Sequence, residues 1–189
     1  VMKEFKKFLN SIIYAVNSGL GAVLMIVLSV ASLFYKAQIE DILGQMVGTG
    51  LDIKIVVVMF IGFSIAMTMT PAISLSLEGK NFWIIKSLPI KAETVILSKI
   101  LYNIILCVPI AIVSILMLGY SIGFSVVDQF VLILLVTVFA TTVSTLYGII
   151  NMLFPKLDYI NEAEVVKQSA SAMLGILSGF TMIALLGIF

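Results

Sequence analysis

Apolar residues run along this chain in long blocks and do not alternate with polar ones. Five stretches contain no charged residue: Phe8–Tyr35, Ile55–Leu77, Ile100–Val127, Gln129–Pro155 and Gln168–Phe189. Each can hold the roughly 20 apolar residues that carry a helix across a bilayer. Their continuity excludes the two-residue alternation of a membrane β-barrel. The pattern predicts an all-α fold, a polytopic bundle of five transmembrane helices near 19–35, 55–77, 100–121, 130–153 and 169–189.

A different period precedes the first block. Phe5, Phe8, Leu9, Ile12 and Val16 recur at helical spacing, with Lys3, Lys6, Lys7 and Asn10 off that face. This predicts a basic amphipathic helix over 1–18 lying in the membrane surface, with Asn17–Gly21 as a bend into the first span. A cleaved signal peptide is the competing reading. The long apolar region and its amphipathic start speak against it. The remaining polar stretches, 78–99 and 154–168, are the loops after the second and fourth spans, and both contain short helices.

Composition agrees. The 189 residues are 61% hydrophobic and 11% charged, against about 25% charged in soluble domains. All eleven basic residues are lysines. With the N-terminus in the cytoplasm, Lys3, Lys6, Lys7, Lys80, Lys86, Lys91, Lys99, Lys156 and Lys167 lie inside and only Lys36 and Lys54 outside, as the positive-inside rule asks. The expected location is the cell membrane, with the lipid bilayer as surroundings. No basic stripe for nucleic acid is present. The chain opens on Val-Met-Lys and closes inside an apolar block, so the expectation is a segment of a longer polypeptide.

Several chemistries are excluded or weakened. Histidine is absent, and with it the commonest general base and metal ligand. The single cysteine, Cys107, lies in an apolar block and reads as a small buried side chain. No GxxxxGK[ST] phosphate loop occurs, and Gly44–Gly50 is not a dinucleotide fingerprint because no strand precedes it. Neither HExxH nor GxSxG occurs. The expectation is a chain without catalytic, cofactor or metal residues. No charge falls in mid-span, which argues against a proton- or sodium-coupled pump. Ser64, Thr68 and Thr70, and a face of Thr137, Thr141, Ser144 and Thr145, read as helix-packing hydroxyls or as a mildly polar cavity wall. Gly175 and Gly179 form a GxxxG that predicts close helix packing, within the chain or between subunits.

The polar loops carry the remaining signal. In "EGKNFWIIKSLPIKAE" (Glu78–Glu93), Gly79 releases the second span, Asn81 can cap a short helix and Pro89 ends it. Trp83 and the lysines suit an interfacial anchor, and equally a surface that meets another protein. In the second loop Pro155, Lys156, Asp158, Asn161, Glu162, Glu164 and Lys167 gather most of the charge. Asn161 and Glu164 have capping-box spacing, and Glu164 can pair with Lys167. Asp158, Glu162 and Glu164 lack other ligands beside them and read as a solvated helix start.

"SLEGKNFWIIKSLPIKAETVILSKILYN" (Ser76–Asn103) and "NMLFPKLDYINEAEVVKQS" (Asn151–Ser169) resemble two hallmark segments of ABC-exporter permeases, the bacterial type-2 ABC membrane subunits. "KEFKKFLNSIIYAVNSGLG" (Lys3–Gly21) is similar to the element before the first span there. The three stretches follow the order of a C-terminal permease half, although a sixth span is missing. The resemblance implies that 1–18 is the connecting helix, with Phe5, Phe8, Leu9 and Ile12 on its interfacial face. It implies that the loop after the second span is a coupling helix seated on a separate ATP-binding subunit, which holds the ATP and Mg. Glu78, Gly79, Lys80, Asn81 and Phe82, with Trp83, Lys86, Ser87, Leu88 and Pro89, would form that contact. A second permease half or a homodimer would complete the pathway. A membrane anchor or assembly scaffold is the alternative function, and a membrane-embedded enzyme a more distant one. The transported substrate has no signature in the sequence.

Overall fold

The computed structural model describes residues 1–39, 41, 52–87 and 89–188. The expected outer-loop features at Glu40 and Gly44–Gly50 lie outside these residues. Helix α1 spans Met2–Asn10 and α2 spans Ile12–Phe34. The second span is α3 (Ile53–Met67), α4 (Thr70–Ser74) and a 3-10 turn over Ser76–Asn81, followed by the short α5 (Phe82–Ser87). Then come α6 (Ala92–Ile122), α7 (Val126–Leu153), α8 (Glu162–Gln168) and α9 (Ala170–Ile188). Among the described residues no strand occurs. Five segments are long and apolar enough to cross a membrane, and the protein is a multi-span helical membrane protein.

Side-chain caps start most of these helices. Ser11 accepts from the Tyr14 amide, Asp52 from Lys54, Ser125 from Asp128, Asn161 from Glu164 and Ser169 from Ala172. The Ser11 cap differs from the sequence expectation. The chain breaks there, with extended backbone at φ −108° and ψ 103°, so no single amphipathic helix covers 1–18. Asn17–Gly21 stays inside α2 because its glycines serve approach and do not bend the chain. Gly19 faces the Phe8 ring, and a Cβ on Gly21 would collide with the Ser64 carbonyl oxygen.

Inside a bilayer, apolar burial supplies little drive for helices to associate, so close packing and hydrogen bonds carry the bundle. The second span is the most deeply buried of the five and receives α2, α7 and α9 around it, while α6 packs between α2 and α7. Gly175 admits Ala72, whose Cβ would lie 2.9 Å from a glycine-replacing methyl, and Gly179 admits Ala66 and the Tyr147 hydroxyl. The GxxxG is thus a contact within the chain. Cys107 is buried in the core.

The second span is discontinuous. At Thr68 and Met69 the backbone leaves the helix, with ψ of 73° and 33°, before Pro71 starts α4. Carbonyls freed in a membrane helix need new donors. The Tyr147 hydroxyl donates to the Ala66 carbonyl at 2.7 Å, and the Tyr14 hydroxyl to Thr70 at 3.4 Å. Thr70 itself donates to Asn103 Oδ1 at 2.6 Å, and Asn103 Nδ2 to Ser144 Oγ at 2.8 Å. Lower down, Asn151 Oδ1 accepts from the Leu75 and Ser76 amides, while its Nδ2 donates to Ser76 and Ser171 hydroxyls.

Of the expected hydroxyl face on the fourth span, only Ser144 is buried and bridges helices. Thr137, Thr141 and Thr145 donate to carbonyls of their own helix, and none of the three is buried. That back-bonding satisfies a hydroxyl without any neighbour.

Candidate functional site

Two ends of the bundle differ in charge. At one, Lys54 pairs with Asp128 at 2.7 Å. At the other, α1, the 3-10 turn, α5, the start of α6 and the loop 154–161 come together with most of the lysines.

The centre of that lysine-rich end is Lys99. Its side chain is 4% exposed. Its ammonium donates to Glu4 Oε1 at 2.9 Å, Glu78 Oε1 at 2.9 Å and the Ser74 carbonyl at 3.0 Å. All three donors of the ammonium are therefore used. Glu78 also accepts from Lys3 at 3.0 Å and lies 3.6 Å from Lys7. Three lysines face two carboxylates, so α1, the second span and α6 are tied together by charge. Burial lowers the Lys7 ammonium below the ordinary lysine range. The pull of Glu78 opposes this, and the nearby Lys99 adds to it.

The chain leaves this cluster through the turn at Gly79. Gly79 has φ 52° and ψ −134°, a conformation that favours glycine. A Cβ there would also meet the Tyr159 ring at 2.8 Å. Tyr159 donates to the Leu77 carbonyl at 3.0 Å, and burial with the nearby Glu162 and Glu78 charges raises its phenol pKa. Glu78 and Gly79 are thus buried and face inward, away from any partner surface.

Beyond Gly79 the segment turns outward. Lys80, Asn81, Trp83, Lys86, Ser87 and Pro89 are exposed, with Trp83 at 66%. Phe82 is half-buried and lies under Lys86, whose ammonium is 5.1 Å from the ring centroid. Ser87 Oγ donates to the Ile84 carbonyl. Leu88 lies outside the described residues. Behind this helix is an apolar cavity of about 470 Å³, lined by Leu75, Phe82, Ile90, Ile96, Met152 and Pro155 among others.

The second loop braces the same turn. The Lys156 amide donates to Ser76 Oγ at 2.9 Å, and Ser11 Oγ donates to Glu162. Glu164 lies 3.6 Å from Lys156, and the expected Glu164–Lys167 pair is not what forms: Lys167 points outward and the loop brings Lys156 closer. Asp158 and Asn161 are exposed. Among the described residues no group of acidic or cysteine side chains is placed to hold a metal ion.

The expected interfacial face also divides, within α1 as well as across the Ser11 break. Phe5 and Phe8 pack on Tyr102, both with centroids 5.9 Å away, and Phe8 on Tyr14 at 5.2 Å. Leu9 and Ile12 are exposed.

Sequence reasoning missed Glu4 and Lys99, and the two buried asparagines Asn103 and Asn151. A signal existed for Lys99: it shares a helical face with Asn103, Cys107 and Ala111, all buried. Among the described residues, Glu4 Oε2, Ser74 Oγ and Tyr102 OH beside this cluster have no hydrogen-bond partner.

A family model described as "Membrane protein of 12 TMs" matches residues 37–189. No curated protein and no solved structure gives a significant match. The match covers most of the chain, and the chain belongs to this family of multi-span membrane proteins.

Proposed function

We propose that this member of a twelve-span membrane-protein family is the membrane-spanning permease subunit of an ABC transporter, working as an exporter. A separate ATP-binding subunit docks on α5 from the cytoplasm, holds the ATP and Mg, and does the hydrolysis. The chain contributes no catalysis of its own. Further spans, from a second permease half or a second copy, complete the pathway across the cell membrane, and the twelve spans of the family description support that arrangement.

The observation that carries this reading is the build of the coupling segment. Trp83 and Lys86 stand exposed on a short helix, with Lys80 exposed just before it. That helix is joined to the second span by the Gly79 turn, which Tyr159 and the Glu78–Lys99 ion pair hold in place. A push on α5 is therefore delivered to α1, the second span and α6 together. Rigid elements with one exposed contact transmit a partner's motion as rigid-body rotation of the spans.

The test is co-purification of the chain with an ATPase subunit, followed by measurement of ATP turnover in the membrane. Trp83→Ala combined with Lys86→Glu abolishes stimulation of turnover while the spans still assemble. Stimulation that survives the double substitution overturns the assignment of α5.

A further inference from the structure

We propose that the lysine-rich end holds a binding site for the phosphate of an anionic phospholipid from the adjoining leaflet. The site is a polar cavity of about 770 Å³ between α1, the 3-10 turn and the loop 154–161. Lys3, Lys7 and Lys80 line it, with Asn81 as a further donor.

Two carboxylates, Glu78 and Glu162, also border the cavity, and both are engaged. Glu78 is shared by Lys99, Lys3 and Lys7, and Glu162 accepts from Ser11. The lysines are less fully matched. The carboxylate oxygen nearest Lys7 is 3.6 Å away and already accepts from Lys99 at 2.9 Å. Lys80 is exposed and makes no ion pair among the described residues. A phosphate placed between these ammonium groups supplies the missing charge. Lysine binds phosphate as a point charge and tolerates the varied geometry of a headgroup.

Position selects the lipid over a soluble anion. Helix α1, which carries Lys3 and Lys7, also exposes Leu9, and Ile12 and Val16 follow exposed on α2, apolar side chains suited to the bilayer. Ile84 and Ile160 also line the cavity, and Ile160 is 95% exposed. A phosphate bearing acyl chains finds apolar contacts there that inorganic phosphate cannot use. The site shares Lys80 and Ile84 with the surface proposed for ATPase docking, but lipid retention is read with no ATPase present, so the two proposals fail separately.

The experiment uses the full chain in phosphatidylcholine nanodiscs with and without phosphatidylglycerol. Native mass spectrometry reads the lipid retained, and thermal unfolding reads stabilisation. Phosphatidylglycerol is expected to be retained in preference to phosphatidylcholine. Each lysine near an anionic headgroup is expected to contribute about fivefold, so Lys80→Gln weakens retention about fivefold and Lys3→Gln with Lys80→Gln roughly 25-fold. Lys80 makes no contact that folding needs, so the single substitution keeps the test valid even if the double variant is unstable. Equal retention of the two lipids, or unchanged preference in Lys80→Gln, overturns the proposal. Stabilisation by inorganic phosphate equal to that by phosphatidylglycerol also overturns it, in favour of a soluble-anion site.

Discussion

Glu4 and Lys99 are 95 positions apart in sequence, yet their side chains meet at 2.9 Å, both almost fully buried. This contact fastens the N-terminal helix to the third span. Removing one partner of a buried pair leaves an uncompensated charge, which costs about 3–5 kcal/mol. Lys99→Met strands Glu4 and takes from Glu78 one of its three lysine partners. Its thermal unfolding in detergent should fall well below that of the native chain, and Glu4→Gln with Lys99→Met should recover part of the loss. A native-like midpoint for Lys99→Met alone would show that the cluster holds nothing together.

The break in the second span gives a graded prediction. Tyr147→Phe removes a 2.7 Å bond to the Ala66 carbonyl, and Tyr14→Phe a 3.4 Å bond to Thr70. A buried carbonyl left without its donor costs about 1–3 kcal/mol. Tyr147→Phe should therefore destabilise clearly more than Tyr14→Phe in denaturant titrations. The reverse order would assign the closure of the break to other groups.

Gly21 and Gly62 make a matched pair. A Cβ at Gly21 would collide with the Ser64 backbone, which cannot move aside like a side chain, whereas one at Gly62 lies 3.5 Å from Phe139. Gly21→Ala should cost about 1–3 kcal/mol by overpacking. Gly62→Ala should be close to neutral. Equal midpoints for the two variants would remove Gly21 from the α2–α3 contact.

Lys7 sets a pH dependence. Its ammonium is depressed in the fold relative to an unfolded lysine. Between the two values the unfolded chain binds the extra proton, so this group makes the fold gain stability as pH rises through that window. Below the folded value both states are charged and the penalty of burying the charge is fully present. NMR titration of isotopically methylated lysines should show Lys7 losing its proton at lower pH in the folded chain than in the unfolded one. A folded-state midpoint for Lys7 at or above its unfolded midpoint would contradict this.

Cys107 is buried, so the native chain serves as a silent background for cysteine scanning. Cysteine placed at Val126, which is 84% exposed, should label from outside the cell, and at Trp83 from the cytoplasmic side. Labelling with the sides exchanged would invert the topology.

The five spans were legible because solvation by lipid is a property of local composition: twenty apolar residues in a row need no tertiary partner to be recognised. The Asn161 cap was legible for a similar reason, since donor and acceptor are three positions apart. The ion cluster was not. Glu4 fell within the expected surface helix and Glu78 and Lys99 within the loop 78–99, and only the folded chain brings them together and buries them. The glycines of Asn17–Gly21 misled because glycine serves both bending and close approach, and the deciding neighbour, Ser64, is far along the chain. The hydroxyl face over-predicted for a related reason. Spacing places Thr141 and Thr145 beside Ser144's turn, but each satisfies itself on its own helix.

Helices α6 and α7 contain 31 and 28 residues, joined by a turn in which Gly123 adopts φ 83°. At 1.5 Å per residue they are about 46 and 42 Å long, against a hydrocarbon core of about 30 Å. Tilt absorbs part of the difference, and the rest extends past the lipid tails. Glu93 and Lys99, the charged residues of α6, both lie within its first eight residues, so the surplus falls at that end. The charged latch thus stands just clear of the hydrocarbon, and bilayer thickness sets its dielectric surroundings. A membrane of longer acyl chains would draw those charges toward oil, so the lysine-rich end of this bundle doubles as a gauge of the membrane it sits in.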